Sequence, residues 1–150
     1  MKSKVSTDLE VLHEDNHLIA INKKPSDIVQ GDKTGDTSLM EIIEDFLKKK
    51  YNKPGNAFVG LIHRIDRPVS GVVVYAKTSK CLSKMNKLFD RKEVMKTYWA
   101  VVHNNPPKNA DRLEHLLWKD KKKNKSFVTS KNSEKAKDAI LEYKKIGESE

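Results

Sequence analysis

Residues 60–71 of the chain read GLIHRIDRPVSG, a polar segment in which the carboxylate of Asp66 lies between two arginines. An apolar run flanks this segment on each side, at residues 57–62 and 72–76. Short apolar runs bounded by proline, glycine and charged residues are typical of strands joined by a turn. We therefore predict that the chain is organised around two strands that meet at this turn.

Asp66 is the candidate catalytic residue of the turn. Charged side chains rarely lie between buried strands unless they are paired, and we expect Arg64 and Arg67 to keep this carboxylate ionised. An ionised carboxylate can act as a nucleophile. A structural role, in which the carboxylate accepts hydrogen bonds from turn amides or from an arginine, fits the same residues, so the pattern alone leaves both roles open.

The composition indicates one domain with a polyanionic partner. The chain has 150 residues, of which 37% are hydrophobic and 34% charged, and its formal net charge is +9. A chain of this kind can bury a rather thin core, and its charge favours nucleic acid as the partner. A membrane partner is disfavoured, because no basic amphipathic helix with an aromatic face is visible.

Cysteine usage and hydropathy bear on the compartment. Cys81 is the only cysteine, which excludes an intramolecular disulfide and a cysteine-rich metal site. The N terminus has no apolar segment of the signal-peptide type, and no run approaches the roughly 20 apolar residues of a membrane span. We expect a cytoplasmic protein.

Periodicity and turn residues predict the other elements. Ser38 opens a helix with a capping box, and the apolar residues that follow it recur at the spacing of one helical face. Thr78 or Ser79 caps a second helix. Residues 113–118 fit either a strand or a helix. The remaining predictions are a flexible segment at 1–10, a domain at 11–150, strands at 11–13, 18–21, 95–103 and 139–143, a loop near the active site at 27–36, and a basic loop at 119–126.

Three motifs, in order, resemble a known family. The first motif comprises residues 63–66 (HRID), Ser70-Gly71 and residues 72–77 (VVVYAK). It is similar to the H-R-L-D-x-x-T-S-G signature of the RluA-type pseudouridine synthases, which is followed by an apolar strand ending in A-K. Residues 11–25 (VLHEDNHLIAINKKP) resemble the opening strand pair of that family, and residues 96–102 (KTYWAVV) resemble its K-x-Y motif.

The resemblance implies an α+β domain with a mixed, largely antiparallel sheet flanked by helices, and it favours a strand at 113–118. The departures are Ile65 and Val69, where the family usually has Leu and Thr. The family continues beyond a strand like residues 140–146 into another strand and a T-G-R-x-H-Q-I-R segment, which contributes an active-site arginine. We therefore expect an incomplete catalytic domain without an S4 domain.

The resemblance also implies a reaction. Such enzymes isomerise uridine to pseudouridine in structured RNA, which exchanges an N-glycosidic for a C-glycosidic bond, and their motif aspartate, here Asp66, is the nucleophile. Ribosomal RNA is the first candidate substrate and transfer RNA the second. The resemblance implies that this chemistry requires no metal and no cofactor, including no nucleotide cofactor.

Further site residues follow from the same resemblance. Tyr98 of the K-x-Y motif is expected to stack on the flipped uracil, and Arg64 to occupy the space that the base vacates or to bind phosphate. His63, Arg67 and Lys96 are candidate RNA contacts. A hydrogen-bonded structural histidine and a solvated arginine fit His63 and Arg67 equally well.

Two features next to these residues have a structural interpretation. Trp99 points to the opposite face of the predicted strand from Tyr98, so it is expected in the core. The lysines of the basic loop at 119–126 are expected to be solvated, with phosphate binding as a secondary hypothesis.

Two rival functions belong to other classes. A non-catalytic RNA-binding module would keep the fold without the activity, and we expect a chain without the family's C-terminal arginine to bind RNA but to isomerise uridine poorly. A phosphotransferase is disfavoured, because the kinase loop reads H-R-D with no intervening residue and the chain has no glycine-rich phosphate loop.

Overall fold

The computed structural model describes residues 9–120, 122–130 and 136–148 of the chain. Contacts between Cα atoms divide the chain into two compact units, Met1–Thr97 and Tyr98–Glu150. Most of the flexible segment predicted at residues 1–10 lies outside the described residues, as does Lys121 of the predicted basic loop.

The first unit contains four strands and two helices. In chain order they are β1 (Val11–Glu14), β2 (Leu18–Lys23), α1 (Leu39–Lys50), β3 (Gly60–Leu61), β4 (Gly71–Ala76) and α2 (Ser79–Asp90). The strands form one sheet in the order β1-β2-β4-β3, and each neighbouring pair is antiparallel. The strands predicted at 11–13 and 18–21 are confirmed.

Strands β2 and β4 lie at the centre of this sheet, paired from Leu18 opposite Ala76 to Lys23 opposite Gly71. Their alternate side chains are buried, because a strand directs successive side chains to opposite faces. Helix α1 packs on the buried face. The apolar side chains that these three elements bury together are Ile19, Ile21, Leu39, Ile43, Leu47, Val73 and Tyr75.

Helix α1 begins where the sequence predicts it. The Ser38 hydroxyl accepts a hydrogen bond from the Glu41 N–H, and the Glu41 carboxylate accepts one from the Ser38 N–H at 2.7 Å, which completes the capping box. These two bonds satisfy amides that have no partner inside the helix. The predicted apolar face is confirmed as well, since it carries the α1 residues of the core.

Strand β3 is shorter than the apolar run at 57–62. Only Gly60 and Leu61 pair with β4. The next ladder bond of β4 would come from the Val74 N–H, but this group donates to Nε2 of His63 at 3.1 Å instead. A side chain thus replaces the ladder and ends the strand, and the two predicted strands still meet at the turn.

The second unit contains a three-stranded antiparallel sheet. Its strands are β5 (Ala110–Asp120), β6 (Lys125–Val128) and β7 (Lys137–Lys144), in the order β6-β5-β7. Residues 113–118 are therefore strand, and the strand predicted at 139–143 is confirmed. The predicted basic loop at 119–126 is partly strand, since both β5 and β6 extend into it. Antiparallel sheets and helices together confirm the α+β class.

The strand predicted at 95–103 is wrong. No residue of this segment pairs with another strand among the described residues. Trp99, expected in the core, has 88% of its surface exposed, and Val101 has 98% exposed. β-forming residues make a strand only where a neighbour supplies packing and hydrogen bonds, and no described residue does so for this segment. Within the described part of the chain, no helix combines the length and apolar character needed to span a membrane.

Candidate active site

The segment at 62–70 leads from β3 to β4 and contains Asp66, whose side chain is exposed. The Asp66 carbonyl accepts a hydrogen bond from the Val69 N–H at 3.0 Å, which closes a tight turn. Gly71 follows with φ of 141°, a conformation that residues with a Cβ rarely adopt. The chain can therefore re-enter the sheet directly after the turn at 66–69, which we call the Asp66 turn.

A buried lysine forms hydrogen bonds to the backbone of this turn. The Lys23 side chain is fully buried, and its Nζ donates to the carbonyls of Arg67 at 2.9 Å, Val69 at 2.6 Å and Lys24 at 3.1 Å. Burial lowers the pKa of Lys23, and the charge of Asp27 opposes this effect. All three acceptors are backbone carbonyls, so the lysine ties the end of β2 to the backbone of the Asp66 turn.

Two further contacts join the turn to the segment after β2. The Arg67 carbonyl also accepts from the Ser26 N–H at 3.0 Å. The Arg67 guanidinium donates to the Asp36 carboxylate at 2.8 Å. Asp36 is the last residue of the loop predicted at 27–36. The loop predicted to lie near the active site therefore does contact the Asp66 turn.

The predicted pairing of Arg64 and Arg67 with the Asp66 carboxylate is wrong for the described residues. Arg67 has Asp36 as its carboxylate partner. Among the described residues, neither Asp66 nor Arg64 takes part in an ion pair, and both side chains are exposed. The carboxylate and the Arg64 guanidinium are therefore both available to a bound molecule.

His63 has a structural environment. Its Nε2 accepts the Val74 N–H, and its ring stacks on Phe89 of α2 with the centroids 5.4 Å apart. Burial lowers the pKa of His63, and the charge of Lys96 lowers it further. A histidine whose Nε2 accepts a hydrogen bond carries its proton on Nδ1 and is neutral, so these contacts support the structural alternative for His63.

Tyr98 belongs to the second unit and Asp66 to the first. The tyrosine side chain is 61% exposed, and its segment forms no strand among the described residues. Its stacking on a substrate base stays a prediction, as do the RNA contacts of Arg64 and Lys96.

The sequence reasoning missed Lys23 and Asp36. A signal for Lys23 was present, because it occupies the inward-facing position after Ile19 and Ile21 in the alternating pattern of β2. A lysine at a core position must satisfy its charge with buried acceptors. Asp36 offered no such signal, since it lies in a loop 31 residues before Arg67.

Comparisons with known proteins identify the family of the chain. Residues 17–150 match the sequence model of the family described as RNA pseudouridylate synthase. Ribosomal large subunit pseudouridine synthase C of Rickettsia prowazekii (strain Madrid E) is 33% identical over 144 residues, which make up 96% of this chain and 45% of that protein. The protein of the same name from Buchnera aphidicola subsp. Acyrthosiphon pisum (strain APS) is 37% identical over 122 residues, or 80% of this chain and 37% of that protein.

Solved structures show the same fold. The structure titled Human RNA Pseudouridylate Synthase Domain Containing 4 matches with a TM-score of 0.73 and 23% identity, over 90% of this chain and 52% of that one. The chain thus spans about half the length, or less, of the relatives that it matches. The family match over residues 17–150 establishes that the chain belongs to the RNA pseudouridylate synthase family.

Proposed function

We propose that this chain provides the nucleophile of an enzyme that isomerises uridine to pseudouridine in structured RNA. The observation that carries the proposal is the Asp66 turn, which presents an exposed carboxylate on a backbone held by the buried Lys23. Ribosomal RNA of the large subunit is the first candidate substrate, because two relatives are named for it. That substrate implies a cytoplasmic protein.

The reaction needs a nucleophile because the base must be detached and reattached. The bond between ribose C1′ and uracil N1 breaks, a bond between C1′ and C5 forms, the C5 proton leaves, and N1 gains a proton. The Asp66 carboxylate forms a covalent bond either to the ribose or to the base while the uracil turns. That bond breaks at the end of the reaction, and the carboxylate is regenerated. Covalent capture divides one difficult step into two easier ones.

Rigid placement is the contribution of the surrounding backbone. A nucleophile displaced by about 1 Å can lose roughly a hundredfold in rate. Lys23, Ser26 and Asp36 all form hydrogen bonds to Arg67 or Val69, so the residues shortly after Asp66 are fixed at several points. We infer that this set of contacts positions the carboxylate.

RNA recognition is proposed to involve exposed residues of the same motifs. The target uridine must leave its stack to reach Asp66. Arg64 is exposed and without a carboxylate partner among the described residues, which suits a contact to phosphate or to the vacated base position. Tyr98 provides an exposed ring on which a flipped base can stack.

The test is Asp66→Asn, which keeps the shape of the side chain and removes the nucleophile. Large-subunit ribosomal RNA labelled with tritium at uracil C5 releases the label when pseudouridine forms. We expect slow but measurable release by the unsubstituted chain and none above background by the variant, with unchanged RNA affinity. Comparable release by both proteins would refute Asp66 as the nucleophile, and RNA binding without release by either would favour the non-catalytic module.

A further inference from the structure

Helix α2 carries a continuous row of cations on its outer surface. The row consists of Lys80, Lys84, Lys87 and the C-cap residue Arg91. These residues follow one another at intervals of four, three and four, which places them on one face of a helix. All of them are exposed. With a rise of about 1.5 Å per residue the row is about 16 Å long. We call these residues the α2 basic row.

Most of the charge of the row is not neutralised by any residue that the structure describes. Lys80, Lys84 and Lys87 form no ion pair among the described residues, and Arg91 only reaches Glu93 at 3.9 Å. Helix α2 has no acidic residue in its first turn, although carboxylates are favoured there. Like charges four residues apart also repel one another. Repulsion within the row therefore destabilises α2, and a bound anion would reduce that repulsion.

Helix α1 shows the contrasting arrangement. Its Lys48 pairs with Glu44 at 2.8 Å, and its Lys50 pairs with Glu14 at 2.6 Å. Helix α1 contains as many acidic as basic residues, and it directs part of its positive charge to carboxylates of the chain itself. Helix α2 has no such arrangement for Lys80, Lys84 and Lys87 among the described residues.

The row lies on the helix that supports the catalytic motif. Phe89 of α2 stacks on His63, which precedes Asp66 by three residues. The α2 residue Leu82 comes so close to β3 that a Cβ on Gly60 would lie 2.9 Å from its Cδ2. The inner face of α2 is therefore packed on β3 and on His63 of the same unit, so the basic row lies on a helix that contacts the motif of the Asp66 turn.

We propose that the α2 basic row binds the phosphate backbone of the RNA whose uridine is isomerised, and this inference rests on the function proposed above. Lysines spaced along an exposed helix neutralise successive phosphates and release counterions, which strengthens binding without reading sequence. An anionic membrane fits less well. A membrane-binding helix needs a free apolar face, whereas the apolar residues Leu82 and Phe89 are partly buried against β3 and His63.

The experiment compares two charge-matched double variants. Lys84→Gln/Lys87→Gln removes two cations of the row, and Lys49→Gln/Lys53→Gln removes two exposed lysines near the end of α1. Equilibrium binding to a transcript of large-subunit ribosomal RNA is measured between 50 and 200 mM salt. We expect the row variant to bind roughly tenfold or more weakly at 50 mM salt, and its slope of log affinity against log salt to be shallower by about two. The control should change much less.

Circular dichroism and the melting temperature show whether both variants fold. Lys84→Arg/Lys87→Arg should retain affinity and slope, because arginine keeps the charge. Equal losses in the row variant and the control would overturn the inference and leave the proposed function standing. An unsubstituted chain that does not bind the transcript would overturn both.

Discussion

Replacing Lys23 by methionine should impair both catalysis and folding, and catalysis more than folding. Methionine keeps most of the apolar stem and removes the ammonium that donates to three carbonyls. The Arg67 carbonyl would keep its bond from Ser26, and the Lys24 carbonyl its bond from Asp27. The Val69 carbonyl is the one that would lose its only donor among the described residues.

The energetic consequence follows from that difference. One carbonyl left without a partner costs about 1–3 kcal/mol of unfolding free energy, and the loss is reduced because the variant no longer buries a charge. We therefore expect a decrease of about 1–2 kcal/mol. The Asp66 turn would lose its attachment to β2, and a displacement of the carboxylate by about 1 Å would lower the rate by roughly a hundredfold.

Two measurements separate these effects. Denaturant unfolding gives the change in stability, and tritium release from C5-labelled RNA gives the rate under conditions where the variant is folded. Lys24→Met is the matched control, since this neighbouring lysine is exposed and should tolerate the change. A Lys23→Met protein that is folded and isomerises uridine at the unsubstituted rate would refute the positioning role.

Three further predictions concern other residues. Burial lowers the pKa of His63, so near its ordinary pKa the folded chain binds fewer protons than the unfolded chain. The free energy of unfolding should therefore fall as the pH drops below 6.5. In denaturant unfolding between pH 7 and 5, His63→Asn should abolish this decline. Burial raises the pKa of Glu14, but hydrogen bonds led by those from Lys50 and Lys77 lower it to about 2, so stability should also fall from pH 4.5 towards 2. Glu14→Gln should flatten that acid limb, and a limb of unchanged slope would contradict the assignment. Tyr98→Phe should slow isomerisation less than Tyr98→Ala, because stacking needs only the ring, and equal losses in measured rate would implicate the hydroxyl.

The sequence by itself determined the local elements of the first unit and the family motif. Ser38 and Glu41 specify the start of α1 through bonds that span only three residues. The alternation in β2 specifies which of its side chains face the core. The order HRID, then Ser70-Gly71, marks the Asp66 turn. These features depend on neighbours in the chain, so a linear pattern contains the information that fixes them.

Only the tertiary structure decided how the turn is held. Lys23 donates hydrogen bonds to the carbonyls of Arg67 and Val69, which lie more than 40 residues away in the sequence. Arg67 forms its ion pair with Asp36 and not with the adjacent Asp66. The segment at 95–103 has the composition of a strand and yet forms none in the described residues. In each case the outcome depends on which distant group lies within about 3 Å, because hydrogen bonds and strand pairing act only at that range.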